Sequence, residues 1–244
     1  MPIWTHAKRL VHASIARAGY RLMPLAMSSP DASMQALLRE QEIDLILDVG
    51  ANACQFASYA FGLGYTGRIV SFEPLPAAHA ALLAKSRANP RWEVAERCCL
   101  GEREGEALIH VSENSISSSI LPILPEHLAI SREAGYVSVE KVPMYPLDTI
   151  APRYLKDSRA PFLKIDVQGY EEQVLRGASE TLRRTRGLQV ELSLCPVYEG
   201  QTLFLPMLEW IASLGFTPYR FSDTFVDPRN GRWLQLDALF FRGP

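Results

Sequence analysis

The chain has 244 residues, of which 48% are hydrophobic and 21% are charged, a composition that is ordinary for a soluble globular protein. We expect a single large α/β domain, because chains of this length are often built on one core. The net charge of -2 and the isoelectric point near 6.2 disfavour a nucleic-acid partner, since binding to that polyanion depends on clustered Lys and Arg.

The cysteines and the apolar runs set the expected compartment. The four cysteines are Cys54, Cys98, Cys99 and Cys195. They form no C-x-x-C pair and have no histidines at metal-ligand spacing, so we predict reduced thiols and no metal. Basic residues interrupt the N-terminal segment, and no run approaches the roughly 20 apolar residues that span a bilayer. We therefore predict a cytoplasmic protein with no membrane span.

Residues 4–18 carry apolar side chains near one helical face and basic residues elsewhere, which predicts an amphipathic helix. We expect this helix to pack on its own domain; a homodimer contact and docking on a membrane surface are the alternatives. A second helix is predicted from Pro30, because Ser29 can cap it and proline suits the first helical position. The two helices form a predicted N-terminal segment over residues 1–42, ahead of a domain over residues 43–244.

Within that domain the chain alternates between apolar strands and amphipathic helices. Five strands are predicted at residues 45–49, 68–73, 92–100, 162–167 and 188–194. Four helices are predicted at residues 55–61, 76–87, 170–184 and 203–214. Such alternation produces a doubly wound, parallel α/β sheet with right-handed crossovers.

Two further strands are predicted near the C-terminus, over residues 217–221 and 233–241. The connection between them contains "VDPRNG", in which Asp-Pro and Asn-Gly are turn-forming pairs. We therefore expect an antiparallel hairpin that closes the parallel sheet.

The middle of the chain is less regular. Strands are predicted at residues 107–111 and 137–142, and between them lies a serine-rich stretch that contains Pro122 and Pro125. A long irregular segment inside a compact domain is usually either functional or disordered. We interpret residues 112–136 as a lid-like insertion over the strand ends.

The ends of the first two strands carry the first candidate binding residues, because ligands of open α/β sheets bind at the carboxyl ends of strands. Gly50 follows the first strand, where the missing Cβ lets the backbone approach a ligand; a plain tight turn is the alternative. Glu73 follows about 20 residues later, the offset at which an acidic residue binds the ribose of an adenosine-containing cofactor. An exposed loop glutamate is the alternative for Glu73.

The loop after the first strand has one glycine, in the run Gly50, Ala51, Asn52, Ala53, Cys54. Dinucleotides need G-x-G-x-x-G, so that the backbone and a helix N-terminus can approach the pyrophosphate. S-Adenosylmethionine carries no phosphate and needs no such cradle. The sequence therefore favours S-adenosylmethionine over a nicotinamide or flavin cofactor.

A later strand holds charges in an apolar setting. In "FLKIDVQGYEEQVLRGA", period-two alternation places Lys164 and Asp166 on one face, and Glu191 has similar surroundings in the next strand, "LQVELSL". Burying an unpaired charge is strongly unfavourable, so these residues need each other or a ligand. We expect an ionic cluster at the strand mouths; a purely structural ion-pair network is the alternative.

The predicted lid contributes further candidates. His127 is the histidine that we expect to reach an acceptor, whereas the other four are predicted to be surface or core residues. Ser117, Ser118 and Ser119 are expected to bind the cofactor or a hydroxylated acceptor, or else to serve only a flexible loop.

Five segments occur in order: "DVGAN", "SFEP", "LDTI", "LKIDVQGYEEQVLRGA" and "VELS". Together they resemble the FkbM-type family of S-adenosylmethionine-dependent methyltransferases, over roughly residues 45–193. The resemblance implies a class I methyltransferase fold, with a Rossmann-like, mostly parallel, seven-stranded sheet that ends in the hairpin. It also implies O-methylation, often of sugar hydroxyls, and cofactor contacts at Asp48, Gly50, Asn52 and Glu73.

Three further residues are candidate cofactor contacts: Cys99, Ser118 and Asp166. Two positions depart from the family. It commonly has glycine where Cys54 stands, and commonly "DVEG" where this chain has "DVQG", with Gln168 in place of glutamate.

For the reaction, we predict that Asp166 removes the proton of an acceptor hydroxyl, with Lys164 and Glu191 setting its orientation and pKa. A positioned base contributes roughly 10² to 10⁴ in rate. The expected acceptor is a small hydroxylated compound, by preference a saccharide, because the lid offers hydroxyls and the charge balance offers no basic groove. Two alternatives remain open: a noncatalytic binding or assembly protein with a degenerate pocket, and an NAD-dependent oxidoreductase.

Overall fold

The computed structural model describes residues 30–243. The helix predicted over residues 4–18 and the cap predicted at Ser29 lie outside the described residues. Helix α1 spans Pro30–Glu40, where the sequence predicts a helix, and it buries Met34 against the domain. This helix is therefore part of the core.

Ten strands follow α1. They are β1 (Leu45–Val49), β2 (Arg68–Phe72), β3 (Trp92–Val94), β4 (Cys99–Leu100), β5 (Gly105–Ser112), β6 (Tyr136–Tyr145), β7 (Pro161–Ile165), β8 (Gly187–Ser193), β9 (Phe216–Val226) and β10 (Trp233–Arg242). Seven of them form the main sheet, in the order β3-β2-β1-β7-β8-β10-β9. The first five in this order are parallel, whereas β10 pairs antiparallel with both β8 and β9. The predicted parallel sheet with a closing hairpin is confirmed, and it is the class I methyltransferase fold.

Helices cover both faces of this sheet. The remaining helices are α2 (Gln55–Gly62), α3 (Pro76–Ser86), α4 (Pro125–Leu128), α5 (Leu147–Ile150), α6 (Pro152–Leu155), α7 (Glu171–Arg176), α8 (Ser179–Arg184) and α9 (Phe204–Ser213). On one face α1, α2 and α3 pack through residues such as Ala57 and Leu82. On the other face α7, α8 and α9 pack through residues such as Val174 and Ile211. The central strands are accordingly buried on both sides and mostly apolar, as expected of parallel strands between two helical layers. The charged residues Asp48 and Lys164 lie near the carboxyl ends of β1 and β7.

The strand predicted over residues 92–100 is in fact two strands in different sheets. Strand β3 ends where the N–H of Ala95 donates to the carbonyl oxygen of Ser71, at the edge of the main sheet. Strand β4 pairs instead with β6, in a small sheet of order β4-β6-β5. The polar pair Glu96 and Arg97 lies in the connection between them. The prediction of one continuous strand was therefore wrong at this point.

The predicted insertion over residues 112–136 joins the two long strands of the small sheet. It contains α4 and a short 3-10 helix at Arg132–Ala134. Several contacts tie it to the main domain. Among them, the hydroxyl of Ser119 donates to the carbonyl oxygen of Gln168 at 2.6 Å, and Ile123 forms an isolated bridge with Tyr198. Its role as a lid stays a prediction, as do the predicted domain boundaries.

The helix predicted over residues 170–184 is broken into α7 and α8. A Cβ on Gly177 would lie 2.0 Å from the carbonyl oxygen of Gly101, so a glycine is required at the break. Glycine is also a poor helix former. The carboxylate of Asp148 accepts hydrogen bonds from two N–H groups at the start of α8, which satisfies donors that a new helix exposes.

Candidate functional site

A cavity of about 420 Å³ lies at the edge of the main sheet where β1, β2 and β7 end. This is the edge at which open α/β sheets bind ligands. Of the residues that the sequence singles out, the wall of the cavity includes Gly50, Asn52, Glu73, Cys99, Ser118, Lys164 and Asp166.

The wall has two parts, which come from different segments of the chain. The loop end is formed by Gly50, Asn52, Glu73, Leu75, Cys99, Ile109 and Ser118. The polar end is formed by Lys164, Asp166, Gln189, Arg220, Ser222 and Asp237. The first set comes from the loops after β1 and β2, the small sheet and the insertion over residues 112–136, whereas the second comes from β8 to β10 and the end of β7.

Gly50 allows the ends of β1 and β7 to come together. Its φ is +76°, and a Cβ at this position would lie 1.8 Å from the carbonyl oxygen of Asp166. Its N–H donates to the carbonyl oxygen of Phe72 at 3.1 Å. No other residue type fits this backbone conformation and this spacing.

Glu73 is the centre of the loop end. It is 4% exposed, and its two oxygens accept N–H groups from both sides: Oε2 from Asn52 and Oε1 from Leu75, each at 2.8 Å. Burial raises the pKa of Glu73 to about 7, although these two hydrogen bonds oppose the shift. The backbone thus fixes the carboxylate in place. Because little water reaches the carboxylate, hydrogen-bond donors of a ligand would stabilise its charge.

The predicted contacts Cys99 and Ser118 complete the wall of the loop end. Cys99 is 6% exposed, and burial raises the pKa of its thiol to about 12, so it is a neutral, weakly polar surface at neutral pH. The hydroxyl oxygen of Ser118 accepts the N–H of Ser112 at 3.0 Å. Around them, Leu75 and Ile109 make this end largely apolar.

Lys164 lies between two carboxylates. Its Nζ is 3.5 Å from Asp48 Oδ1 and 3.4 Å from Asp166 Oδ2, and it donates to the carbonyl oxygen of Gly50 at 3.3 Å. Burial alone would lower the pKa of Lys164, but three carboxylates together raise it above its ordinary value: those of Asp166, Asp48 and Asp237. The ammonium group is therefore charged, and the predicted ionic cluster of Lys164 and Asp166 exists.

Asp48, which the resemblance implies as a cofactor contact, has no exposed surface and does not belong to the cavity wall. Its Oδ2 accepts the hydroxyl of Ser71 at 3.1 Å. The reason is the strand register: Asp48 stands directly opposite Lys164 on the neighbouring strand, and paired residues share a face of the sheet. The structure places Asp48 behind the wall, as a counter-ion of Lys164.

Gln168 connects the predicted cluster, and sequence reasoning missed this role. Its Nε2 donates to Asp166 Oδ1 and to Glu191 Oε2, both at 2.8 Å. Its Oε1 accepts the hydroxyl of Tyr198 at 2.7 Å. Gln168 has a φ of +56°, a conformation that is uncommon for a residue with a side chain. The amide therefore holds one oxygen of Asp166 while Lys164 holds the other.

Glu191 is 8% exposed and does not belong to the cavity wall. Burial, followed by the negative charges of Asp166 and Glu171, raises the pKa of Glu191 well above its ordinary value. The structure thus connects Glu191 to Asp166 through the amide of Gln168, with no direct contact to Lys164. Glu171 has a related position: its Oε1 accepts the N–H groups of Val167 and Gly169 at 3.0 and 3.1 Å, which fixes the loop after β7.

Four residues of the polar end were not foreseen from the sequence: Gln189, Arg220, Ser222 and Asp237. They come together through strand register. Asp48, Lys164 and Gln189 stand opposite one another on β1, β7 and β8, and the row continues through Leu239 to Arg220 on β10 and β9. One signal was available, because "LQLDALFF" places a lone acid in an apolar strand, as "FLKID" does.

His127, predicted to reach an acceptor, does not belong to the cavity wall. It is 5% exposed, and its ring lies 4.9 Å from that of Phe225 and 6.3 Å from that of Tyr198. Burial among these rings lowers the pKa of His127. The packing does not favour a catalytic role, which stays an untested prediction.

Cys54 lies beneath the loop end and does not belong to the wall. It has a φ of +92° at the start of α2, and its sulfur accepts hydrogen bonds from Lys85 Nζ at 2.6 Å and from the hydroxyl of Ser58 at 3.2 Å. The cysteine therefore occupies a conformation suited to glycine.

Two findings concern the described part of the chain only. No helix within residues 30–243 is both long and apolar enough to cross a membrane. Over the same residues, no group of three or more His, Cys, Asp or Glu is arranged to hold a metal ion. That the protein uses no metal stays a prediction.

Comparison with solved structures gives likenesses at low identity. An rRNA methylase from Streptococcus thermophilus is 11% identical, with 89% of this chain and 99% of that chain covered and a TM-score of 0.46. Magnesium protoporphyrin IX methyltransferase from Synechocystis PCC 6803, with bound SAM, is 12% identical, with 87% and 78% covered and a TM-score of 0.46. Aeropyrum pernix fibrillarin, with natively bound S-adenosyl-L-methionine, is 12% identical, with 81% and 66% covered and a TM-score of 0.46.

The family assignment rests on a domain match and not on these structures. No curated protein matches the chain closely enough to serve as a relative. The methyltransferase FkbM domain matches residues 48–218, which is well over half of the chain and includes Glu73, Lys164 and Asp166. The chain therefore belongs to the FkbM family of S-adenosylmethionine-dependent methyltransferases.

Proposed function

We propose that the protein transfers a methyl group from S-adenosylmethionine to a hydroxyl oxygen of a small, neutral acceptor, by preference a saccharide. One observation carries the proposal. A single cavity joins the buried carboxylate of Glu73 to the partly exposed carboxylate of Asp166, which lies beside the buried cation of Lys164. The oxygen as the methylated atom and the class of acceptor are what the proposal adds to the family assignment.

The loop end fits S-adenosylmethionine. Each oxygen of Glu73 accepts one N–H group and keeps a further lone pair for a ribose hydroxyl. The apolar wall around Leu75 and Ile109 suits an adenine ring. The loop has one glycine and so offers no cradle for a pyrophosphate. In the proposal Glu73 and Asn52 hold the nucleoside part, and the polar end receives the acceptor.

When bound, S-adenosylmethionine supplies an electrophilic methyl group. In the proposal Asp166 accepts the hydrogen bond of the acceptor hydroxyl and takes its proton, which strengthens the oxygen as a nucleophile. The Asp166 side chain is 32% exposed and belongs to the wall, so an acceptor can reach it. A positioned base of this kind contributes roughly 10² to 10⁴ in rate.

The other members of the cluster act as positioning residues in this proposal. Lys164 contacts Oδ2 of Asp166 and Gln168 donates to Oδ1, so the carboxylate is held from both sides. Glu191 acts through the amide of Gln168. Orientation and proximity can lower an activation barrier by roughly 7 to 11 kcal/mol. A carboxylate that is held in place therefore accelerates the reaction more than a mobile one.

The test is methyl transfer followed by assignment of the product. The protein is incubated with S-adenosylmethionine and a set of neutral methyl glycosides, and products are examined by mass and by carbon NMR. We expect a product that is heavier by one methylene and whose new methyl carbon is bonded to oxygen. A new methyl group on nitrogen or carbon would overturn the oxygen assignment.

The two alternatives have little support from the site. A degenerate, noncatalytic pocket would rest on Cys54 and Gln168, yet Cys54 lies outside the wall and Gln168 is hydrogen bonded at both ends of its amide. An NAD-dependent oxidoreductase could use Glu73, but it would also need a glycine-rich loop for the pyrophosphate, and the loop after β1 has only one glycine. A cytoplasmic location remains a prediction, and a homodimer through residues 4–18 remains an alternative to the predicted packing of that helix on its own domain.

A further inference from the structure

We propose that the polar end is the acceptor subsite, and that Asp237, oriented by Gln189, binds two neighbouring hydroxyls of a neutral cyclic polyol. This inference rests on the proposed function, because it locates the acceptor of that reaction. It concerns residues on β8 to β10 that have no role in the proposed catalytic cluster of Lys164, Asp166, Gln168 and Glu191.

Strand register places the subsite. Asp237 stands opposite Glu191 on β8 and opposite Ser222 on β9. Because paired residues point to the same face, Asp237 and Ser222 lie on the face that carries Lys164. Both residues belong to the cavity wall. Asp237, Arg220 and Ser222 also lie beyond the matched family domain, which ends at residue 218.

Asp237 has the capacity to bind a ligand with hydrogen-bond donors. Burial raises the pKa of Asp237 to about 6, and a hydrogen bond from the side chain of Gln189 opposes the shift. An ionised carboxylate has about four lone-pair positions, so an ordered donor from Gln189 leaves room for two ligand hydroxyls. Gln189 is 6% exposed, and its Oε1 has no hydrogen-bond partner among residues 30–243.

The charges of the polar end favour a neutral acceptor. It contains two cations, Lys164 and Arg220, and two carboxylates, Asp166 and Asp237. Lys164 faces Asp166, and Arg220 is close enough to Asp237 to lower its pKa. Each cation of the wall already has a carboxylate neighbour, so a charged acceptor would bring a charge without a partner of its own into a partly buried site, which is costly. Hydroxyls both donate and accept hydrogen bonds, so they can meet both kinds of group.

The remaining wall suits the apolar face of a ring. Phe56, Tyr59 and Leu239 line the cavity next to the polar groups, and the ring of Phe56 lies 5.7 Å from Lys164 Nζ. Ligand sites typically combine an apolar wall with a few polar groups that fix orientation. A cyclic polyol presents C–H groups on one side and adjacent hydroxyls on the other.

The test measures acceptor binding to protein saturated with S-adenosylhomocysteine. The probes are neutral methyl hexopyranosides with adjacent hydroxyls, their deoxy analogues that lack one of the two hydroxyls, a methyl glucuronide and a methyl glucosaminide. Binding is followed by saturation-transfer NMR. We expect neutral glycosides to bind, and the deoxy probes to bind roughly tenfold more weakly, as the loss of one hydrogen bond to a charged group implies. The charged probes should also bind more weakly than the neutral glycosides, because their charge lacks a partner in the site.

Two variants and one control locate the effect. Asp237→Asn and Gln189→Met should each weaken glycoside binding by about tenfold, while affinity for S-adenosylhomocysteine stays within about twofold. Asp223→Asn makes the same chemical change on the exposed face of β9 and should leave both affinities unchanged.

Several results would overturn the inference. They are tighter binding of a charged probe, no binding of any neutral glycoside, or unchanged glycoside binding in Asp237→Asn. Each of these, in a protein that still binds S-adenosylhomocysteine and methylates an oxygen, removes the subsite alone. Failure to bind S-adenosylhomocysteine would instead remove the proposed function, and with it this inference.

Discussion

The two ends of the cavity hold their carboxylates in different ways. At the loop end, Glu73 is fixed by backbone N–H groups of one βαβ unit. At the polar end, Asp166 is held by side chains, those of Lys164 and Gln168, and its neighbours come from four strands. The position of Glu73 therefore depends on the backbone, whereas the position of Asp166 depends on side chains that single substitutions can remove. Substitutions at the polar end should alter turnover and acceptor choice and leave cofactor affinity nearly constant.

The largest expected effect is on turnover, at the polar end. In Asp166→Asn the amide keeps the shape of the side chain but cannot take a proton from a hydroxyl. We expect turnover to fall by about 10² to 10⁴, while affinity for S-adenosylhomocysteine stays within a few-fold. Initial rates and calorimetric titration measure the two quantities separately.

Asp157→Asn is the matched control for this variant. Asp157 is exposed and precedes β7, whereas Asp166 follows the same strand. The control should have the turnover of the unaltered protein. Unchanged turnover in Asp166→Asn would remove Asp166 as the base.

The second effect is on stability, at the junction of the two ends. In Gly50→Ala the new Cβ would lie 1.8 Å from the carbonyl oxygen of Asp166, at a φ of +76°. Steric overlap and backbone strain together should lower the free energy of unfolding by at least about 3 kcal/mol. Denaturant unfolding measures this change.

Gly62→Ala provides the comparison. A Cβ at Gly62, in α2, meets nothing within 4 Å, so the same substitution there should be neutral or stabilising by up to about 1 kcal/mol. Equal stabilities for the two alanine variants would contradict the close approach of β1 and β7.

The third effect is the pH dependence of cofactor affinity, at the loop end. Burial raises the pKa of Glu73 to about 7, so this carboxyl is protonated below pH 7 and must lose its proton to accept both ribose hydroxyls. Affinity for S-adenosylhomocysteine should therefore be about tenfold weaker at pH 6 than at pH 8. The dependence should disappear in Glu73→Gln, and its persistence in that variant would assign it to another group.

The smallest effect concerns the strain beneath the loop. Cys54 has a φ of +92°, where glycine is favoured over residues with a Cβ. We expect Cys54→Gly to unfold with a free energy about 1 kcal/mol higher than that of Cys54→Ala. At an unstrained position alanine would be the more stable of the two, so the reverse order would show that the loop carries no strain here.

The loop end could be predicted from the sequence because its parts are close together in the chain. Gly50 and Glu73 belong to one strand-helix-strand unit, and the offset between them reflects its geometry. The same reasoning predicts the parallel strands, the closing hairpin and the charged pair at the end of β7. It does not predict that Asp48 lies behind the wall, because that depends on the register between β1 and β7.

The polar end could be predicted only in part, because it depends on contacts between distant segments. Asp237 meets the cluster through the pairing of β8 with β10, and no local pattern encodes that register. Gln168 was noted only as a departure from "DVEG", and its three side-chain hydrogen bonds depend on where Asp166, Glu191 and Tyr198 lie in the fold. The break at Gly177 likewise reflects the close approach of Gly101, which periodicity along one helix does not reveal.

The most direct test of the cofactor site is calorimetric titration of the full chain with S-adenosylmethionine, S-adenosylhomocysteine and NAD, alongside Glu73→Ala. We expect the two sulfur compounds to bind and NAD not to bind. Removing the carboxylate should weaken their binding by about 10- to 100-fold, as expected for lost hydrogen bonds to a charged group. Binding of NAD in preference, or equal affinities for the unaltered protein and Glu73→Ala, would contradict the assignment of the loop end as the cofactor site.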